Sequence, residues 1–216
     1  MTSSRPQPGQ HAQPTARITA RERVFDGFHT LDIVRAEPRS MKFDGFAPEM
    51  EREIFSCGGY AMVVLYVPET DEIMLNEQFR LGAFIAEPEN AFLLECAAGM
   101  LDEGETPIEA AKRETLEETG CEVLDLVSVG SFFTSPGCLD ELAHVFIGRI
   151  ARSDAGGVFG VEEEGEEIRT HLLPAEKVFE MLDAGLIRNG AAALGLNWFA
   201  RHREHLREQW LSPESK

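Results

Sequence analysis

Residues 99–121, GMLDEGETPIEAAKRETLEETGC, constrain the fold of this chain more than any other segment. Thr106 is placed to cap a helix, and Pro107 fits the first turn, where a backbone N–H has no partner to lose. Glu109, three residues after Thr106, completes a capping box. Gly120 ends the helix, because the C-terminal cap adopts the left-handed backbone that glycine takes at no steric cost. At about 100° per residue, Ile108, Ala111, Thr115, Leu116 and Thr119 fall on one side, which is expected to face a core, with Lys112 intruding on it. Glu114, Glu117 and Glu118 share the neighbouring side. Like charges one turn apart cost a few tenths of a kcal/mol per pair. They also stand near the C-terminal end, where the helix dipole disfavours anions. Two readings fit: a solvated acidic face, or a gathering of the hard oxygen ligands that Mg²⁺ and Mn²⁺ take.

The helix is set among strand-like runs. The stretch RVFDGFHTLDIVRAE alternates loosely about Asp26-Gly27 and reads as a strand pair, and residues 51–56 add a short strand. Residues 60–67 and 72–79 are apolar runs separated by PETD, so a hairpin is expected. Further strand-like runs cover 91–97, 122–132, 142–150 and 168–173, and two helices, 175–184 and 190–209, close the chain. Strands, one helix, strands and then helices predict an α+β fold, a mixed sandwich and not a doubly wound parallel sheet.

Charge narrows the function classes. Lys and Arg number 20 against 38 Asp and Glu, giving −18. Non-specific nucleic-acid binding and docking on anionic membranes both draw on Lys and Arg, so neither partner is expected. No apolar run is long enough for a transmembrane helix. The first 16 residues, MTSSRPQPGQHAQPTA, lack the apolar stretch of a secretory signal and have the Pro, Gln and Ser content of a disordered tail. Cys57, Cys96, Cys121 and Cys138 form no CxxC pair, so reduced thiols in a cytoplasmic protein are expected.

The spacing within 99–121 adds a second kind of information. Gly99, five residues, Glu105, seven residues, Arg113-Glu114, two residues, Glu117-Glu118, one residue and Gly120 resembles the Nudix box, with all seven fixed letters present. Chance would supply such a match in a chain of this composition with a probability of about 10⁻⁵. Thr115 and Cys121 fill its two apolar slots, Thr115 being a mild departure. The resemblance implies a Nudix-type α/β/α sandwich with a mixed sheet and a hydrolase that cleaves a nucleoside diphosphate linked to another group. It implies that Glu114 and Glu118 are the principal metal ligands, with Glu117 and the Ala98 carbonyl adding to them. Arg113 would pair with a box carboxylate, Glu105 would support the loop, and Gly99 and Gly120 would be structural. Bound cations would also let an anionic substrate approach so acidic a protein.

Beyond the box, the chain is similar to bacterial ADP-ribose pyrophosphatases. Pro136 lies 16 residues past Gly120, as a proline does in that subfamily. The stretch GVEEEGEEIR at 160–169 resembles its catalytic loop, which implies Glu164 as general base and Glu166 as a further metal ligand. Glu162 and Glu163 compete with Glu164 for the first role. By the same resemblance Phe28 stacks on adenine, Arg52 and Arg80 contact the diphosphate or adenosine end, and Glu141 accepts hydrogen bonds from the terminal ribose. A core position for Phe28, ion pairs for the arginines and a surface position for Glu141 are the plain alternatives. The implied activity is Mg²⁺- or Mn²⁺-dependent hydrolysis of ADP-ribose to AMP and ribose 5-phosphate, with two or three ions per site. The nearest alternatives are the same chemistry on GDP-mannose, NADH or a dinucleotide, and a non-catalytic nucleotide sensor. The expected organisation is a tail at 1–17, an N-terminal β arm at 18–56 that exchanges in a homodimer, the hydrolase domain at 57–210 and a C-terminal tail at 211–216.

Overall fold

The turn at Asp26-Gly27 joins β1 (Ala16–Asp26) to β2 (Thr30–Pro38), which pairs in turn with β3 (Met50–Ser56) in an antiparallel sheet ordered β1-β2-β3. The computed structural model describes residues 15–152, 157–160 and 165–212. The described residues form two compact units, and this sheet, with residues 135–140, is the first. Leu139 bridges Phe55 in parallel, and the Phe55 N–H donates to the Cys138 carbonyl at 2.8 Å. Asp32 is buried, and its carboxylate is held by Arg21 and by Arg23, whose Nε donates at 2.6 Å. All eleven residues of β1 are exposed, apolar Ile18, Val24 and Phe25 among them.

The second unit, 58–134 and 141–212, is built on a strand with no polar alternation. GYAMVVLYV forms β4 (Gly59–Val67), and such a continuous apolar run belongs where both faces of a sheet are covered. Residues 68–71 turn the chain into β5 (Glu72–Phe79), with Asp71 at φ 61°. The short α1 (Leu81–Ala86) leads to β6 (Phe92–Glu95) and β7 (Ala97–Met100). Helix α2 (Pro107–Thr119), strands β8 (Val123–Phe133), β9 (Leu142–Ile150), β10 (Val158–Phe159) and β11 (Ile168–Pro174), and helices α3 (Ala175–Asp183) and α4 (Gly190–Leu211) complete the unit.

The sheet runs β10-β11-β5-β4-β9-β8, antiparallel except for the parallel β4–β9 pair, so it is mixed. β4 pairs with β5 only over Leu65–Val67 and with β7 over Tyr60–Val63, while β5 pairs with β6 over Asn76–Phe79. The β4–β5 hairpin therefore splays, and the β6–β7 chain fills the opening. Alternate residues of β4 serve two cores. Met62, Val64 and Tyr66 pack with Phe199, Leu206 and Trp210 of α4, and Ala61, Val63 and Leu65 pack with Ala110 and Ala111 of α2. Helices on both faces make the α/β/α sandwich expected of the sequence.

Trp210 is 2% exposed, and its indole Nε1–H donates to Asp125 at 2.9 Å. Trp210→Ala is expected to cost about 3–5 kcal/mol of unfolding free energy, by cavity formation and a lost hydrogen bond. Urea denaturation checks this, and an unchanged midpoint would exclude α4 from the core.

Three local expectations need correction. Residues 91–97 are two strands broken at Cys96, because the chain crosses from the edge of β5 to that of β4. Ile108 and Leu116 are about half exposed, and the buried residues of α2 are Ala110, Ala111, Thr115, Glu118 and Thr119. Small residues let the helix lie close on the sheet, which leaves no room there for an Ile or Leu side chain. The helix α1 was not expected. None of the four cysteines is in a disulfide, and Cys96 and Cys121 are buried. No helix among the described residues is long and apolar enough to cross a membrane.

Candidate active site

Local chemistry seats α2 as the spacing predicts. The Thr106 hydroxyl accepts from Glu109 N, and the Glu109 carboxylate accepts from Thr106 N at 2.9 Å. Gly120 has φ 68° and donates its N–H to the Leu116 carbonyl. Thr115 occupies its apolar slot without strain, because its hydroxyl donates to the Ala111 carbonyl at 2.7 Å.

Arg113 organises the loop that precedes the helix. Its Nε and Nη2 donate to the two Glu105 oxygens, both at 2.9 Å, and Nη2 also donates to the Met100 carbonyl. Glu105 further accepts from Asp102 N at 3.0 Å. These donors, Arg113 first, hold the Glu105 carboxyl down to about 2. Nη1 of Arg113 donates to Glu114 at 2.6 Å and to Glu117 at 3.2 Å. Gly99 lies directly under Glu114: a Cβ there would stand 1.9 Å from the Glu114 carboxyl carbon. The glycine is required by that close approach.

Glu118 is the most unusual residue of the helix. It is 4% exposed, and its Oε2 accepts from Asn76 Nδ2 at 2.7 Å and from Ala98 N at 3.0 Å. Burial pushes its carboxyl well above the ordinary range, and the like charges of Glu114 and Glu166 add to this, while Ala98 N–H and Arg80 oppose it. Burial also raises the Glu114 carboxyl against the pull of Arg113. Glu166 accepts from Gln78 Nε2 at 3.1 Å. Asn76 and Gln78, both buried on β5, donate to Glu118 and Glu166, and sequence reasoning missed them. Their signal was available: amides at alternate positions 76 and 78 of a strand lie on one face.

As they stand, no three His, Cys, Asp or Glu side chains among the described residues are gathered to hold a metal ion. Arg113 occupies Glu114 and Glu117, while Glu118 accepts hydrogen bonds only from neutral donors. A buried carboxylate of that kind, pressed by two others, is a costly arrangement that a divalent cation would relieve. The donor set is all hard oxygen, which fits such a cation.

The remaining sequence-derived residues are distributed over both units. Phe28 and Arg52 belong to the first. The Phe28 ring is 89% exposed, so it is not a core residue, and its nearest aromatic is His29, edge-on at 4.7 Å. Arg52 Nη1 donates to the Glu51 carbonyl at 2.7 Å, and the side chain lines a cavity of about 360 Å³ with Ile33, Glu53 and Cys138. Arg80 and Glu141 belong to the second. Arg80 donates to Glu95 Oε2 through Nε and Nη2 at 2.9 and 2.7 Å. Its guanidinium also feels the charges of Glu118 and Glu166. Glu141 accepts from the Thr134 hydroxyl at 2.7 Å. Glu164, with Glu162 and Glu163, lies outside the described residues.

The chain resembles known proteins over most of its length. It is 36% identical over 194 residues to an ADP-ribose pyrophosphatase of Escherichia coli strain K12, covering 89% of this chain and 91% of the relative. It is 35% identical over 178 residues to a GDP-mannose pyrophosphatase of Shigella flexneri serotype 5b, covering 81% and 90%. A solved ADP compounds hydrolase superimposes with a TM-score of 0.68 at 19% identity, over 93% of this chain and 98% of that one. The NUDIX domain matches residues 59–191, the stretch that contains the splayed hairpin, the Gly99–Glu114 contact and the buried Glu118. With that match over more than half of its length, and with the box carboxylates seated on the helix, the chain belongs to the Nudix hydrolase family.

Proposed function

We propose that this protein hydrolyses the diphosphate of ADP-ribose, giving AMP and ribose 5-phosphate. The observation that carries the reading is the buried Glu118 carboxylate, with Glu114 and Glu166 acting on it, in a chain 36% identical to an ADP-ribose pyrophosphatase. The Ala98 carbonyl, Glu114, Glu117, Glu118 and Glu166 would hold two or three Mg²⁺ or Mn²⁺ ions. Such ions neutralise the diphosphate and lower the pKa of water.

The residues of the chain do the rest. Glu164 takes the proton of the attacking water, whose oxygen bonds to one phosphorus as the bridging P–O bond breaks. Arg80 and Arg52 hold the anion, because a planar guanidinium matches phosphate oxygens. Phe28, free on the surface, stacks on adenine. Glu141 accepts hydrogen bonds from the terminal ribose. The apolar side chains that β1 leaves exposed support a homodimer in which the 18–56 arm meets a second copy. Four cysteines outside any disulfide suit a cytoplasmic setting.

A second reading, GDP-mannose as substrate, is supported by the 35% identical relative of that activity. Chromatography of products from ADP-ribose, GDP-mannose and NADH, with Mg²⁺ and again with EDTA, separates the two. Metal-dependent AMP release with ADP-ribose preferred is the expected result. Preference for GDP-mannose would retain the carboxylate helix and discard the adenine contacts.

A further inference from the structure

Arg80 does not hang free in the site. Nε and Nη2 both donate to one oxygen of Glu95, which leaves Nη1 as the open corner of the guanidinium. Glu95 is 4% exposed at the end of β6, and its other oxygen accepts from Asn189 Nδ2 at 3.0 Å. Asn189 is fixed from the far side as well: its Oδ1 caps α4 by accepting from Ala192 N at 3.0 Å. Beside it, Arg188 Nη2 donates to Glu87 at 2.9 Å. A chain of hydrogen bonds thus runs from the N-terminus of the longest described helix, through a buried carboxylate, to Arg80, and that carboxylate's residue, Glu95, pairs across the strands with Asn76, whose amide holds Glu118.

We propose that Glu95 and Asn189 are positioning residues, which aim the open edge of Arg80 so that a nucleoside diphosphate meets a guanidinium already in place. The proposal rests on the reading above for the identity of the substrate, not for the geometry. A free arginine side chain has several rotatable bonds to order on binding, and a guanidinium fixed beforehand does not incur that loss. Two arrangements of Glu95 would spoil the aim. One is rotation of its carboxylate once the Asn189 donor is gone. The other is repulsion from a second carboxylate at 189. Neither touches the box helix or the water that attacks, so capture should suffer and chemistry should not.

Asn189 also caps α4, so the variants must keep that role. Asp and Ser cap helices about as well as Asn. Asn189→Asp replaces the donor with a like charge, and Asn189→Ser withdraws it. In the full chain, Asn189→Asp is expected to raise KM for ADP-ribose about ten-fold, with kcat within about two-fold and an unchanged melting temperature, and Asn189→Ser to do the same to a lesser degree. Titration with ADP in the presence of Mg²⁺ should show the same ten-fold weakening. Unchanged KM and ADP affinity in both variants overturn the proposal. So does a joint fall of kcat and melting temperature, which would make Asn189 merely structural. If the wild-type chain does not turn over ADP-ribose, the substrate reading fails, and the ADP titration still decides. Weaker binding in Asn189→Asp then upholds the positioning role, and equal or absent binding ends it.

Discussion

Glu118→Gln is expected to lower turnover by about 10³-fold or more while leaving the fold intact, and to make the metal-free protein at least as stable as the wild type at neutral and higher pH. The wild-type carboxylate is buried and acted on by Glu114 and Glu166. Its carboxyl is therefore raised above the ordinary value of 4.5. A raised carboxyl favours the folded protein below the unfolded value, and that contribution is lost as pH rises through the folded value. The metal-free wild type should accordingly lose stability as pH climbs above 4.5, and Glu118→Gln should lose less. The amide keeps an oxygen to accept from Asn76 and Ala98 N, so the hydrogen bonds survive. Added Mg²⁺ should raise the melting temperature of the wild type, because binding to the folded state alone stabilises it, and should do little for the variant. Turnover, circular dichroism and melting curves at pH 5 and pH 8 check all of this together. Wild-type turnover in the variant would remove Glu118 from the metal site.

Gly99→Ala tests the other half of the arrangement. A methyl at residue 99 would stand 1.9 Å from the Glu114 carboxyl carbon, a separation no relaxed structure keeps. Either Glu114 leaves, breaking its 2.6 Å contact with Arg113, or β7 moves away from α2. Both displace the Glu114 carboxylate from its place over Gly99. The expected result is a loss of turnover of about 10²-fold, weaker Mn²⁺ binding, and a stability cost of about 1–3 kcal/mol from overpacking. Gly82→Ala, where no atom would meet the added methyl, is the control and should change neither. A Gly99→Ala protein with full activity would mean that Glu114 has no fixed place in the site.

Much of the box was legible because its determinants are local. Thr106, Glu109 and Gly120 act within one helical turn of themselves, so the capping box and the left-handed cap stand as the spacing predicts. The hairpin at 68–71 and the β1–β2 turn were legible for the same reason, since turn chemistry needs only neighbours. Periodicity misled on the buried face of α2. Ala111, Thr115 and Thr119 are buried as expected, but Ile108 and Leu116, its largest apolar residues, are half exposed and Ala110 is buried, because contact distance favoured small side chains over large apolar ones. Glu118 shared a side with Glu114 and Glu117 on a helical wheel, and a wheel cannot show that one of three adjacent carboxylates is sunk beside a strand. Asn76 and Gln78 escaped attention because two amides on one face of a strand acquire meaning only once their partners, Glu118 and Glu166, are known.

From the sequence alone came the helix that bears the carboxylates, the strands on either side and the spacing that ties Gly99, Arg113 and Glu118 to one chemistry, because each depends on short separations along the chain. Only the tertiary structure decided that Glu118 is buried against Asn76, that Gly99 must lack a side chain to admit Glu114, and that Arg80 is anchored through Glu95 to the cap of α4. Those contacts join residues 15 to 94 positions apart, and they exist because β4 and β5 splay and let β6 and β7 into the gap. Separations of that size are closed by packing, which no local pattern of residues encodes.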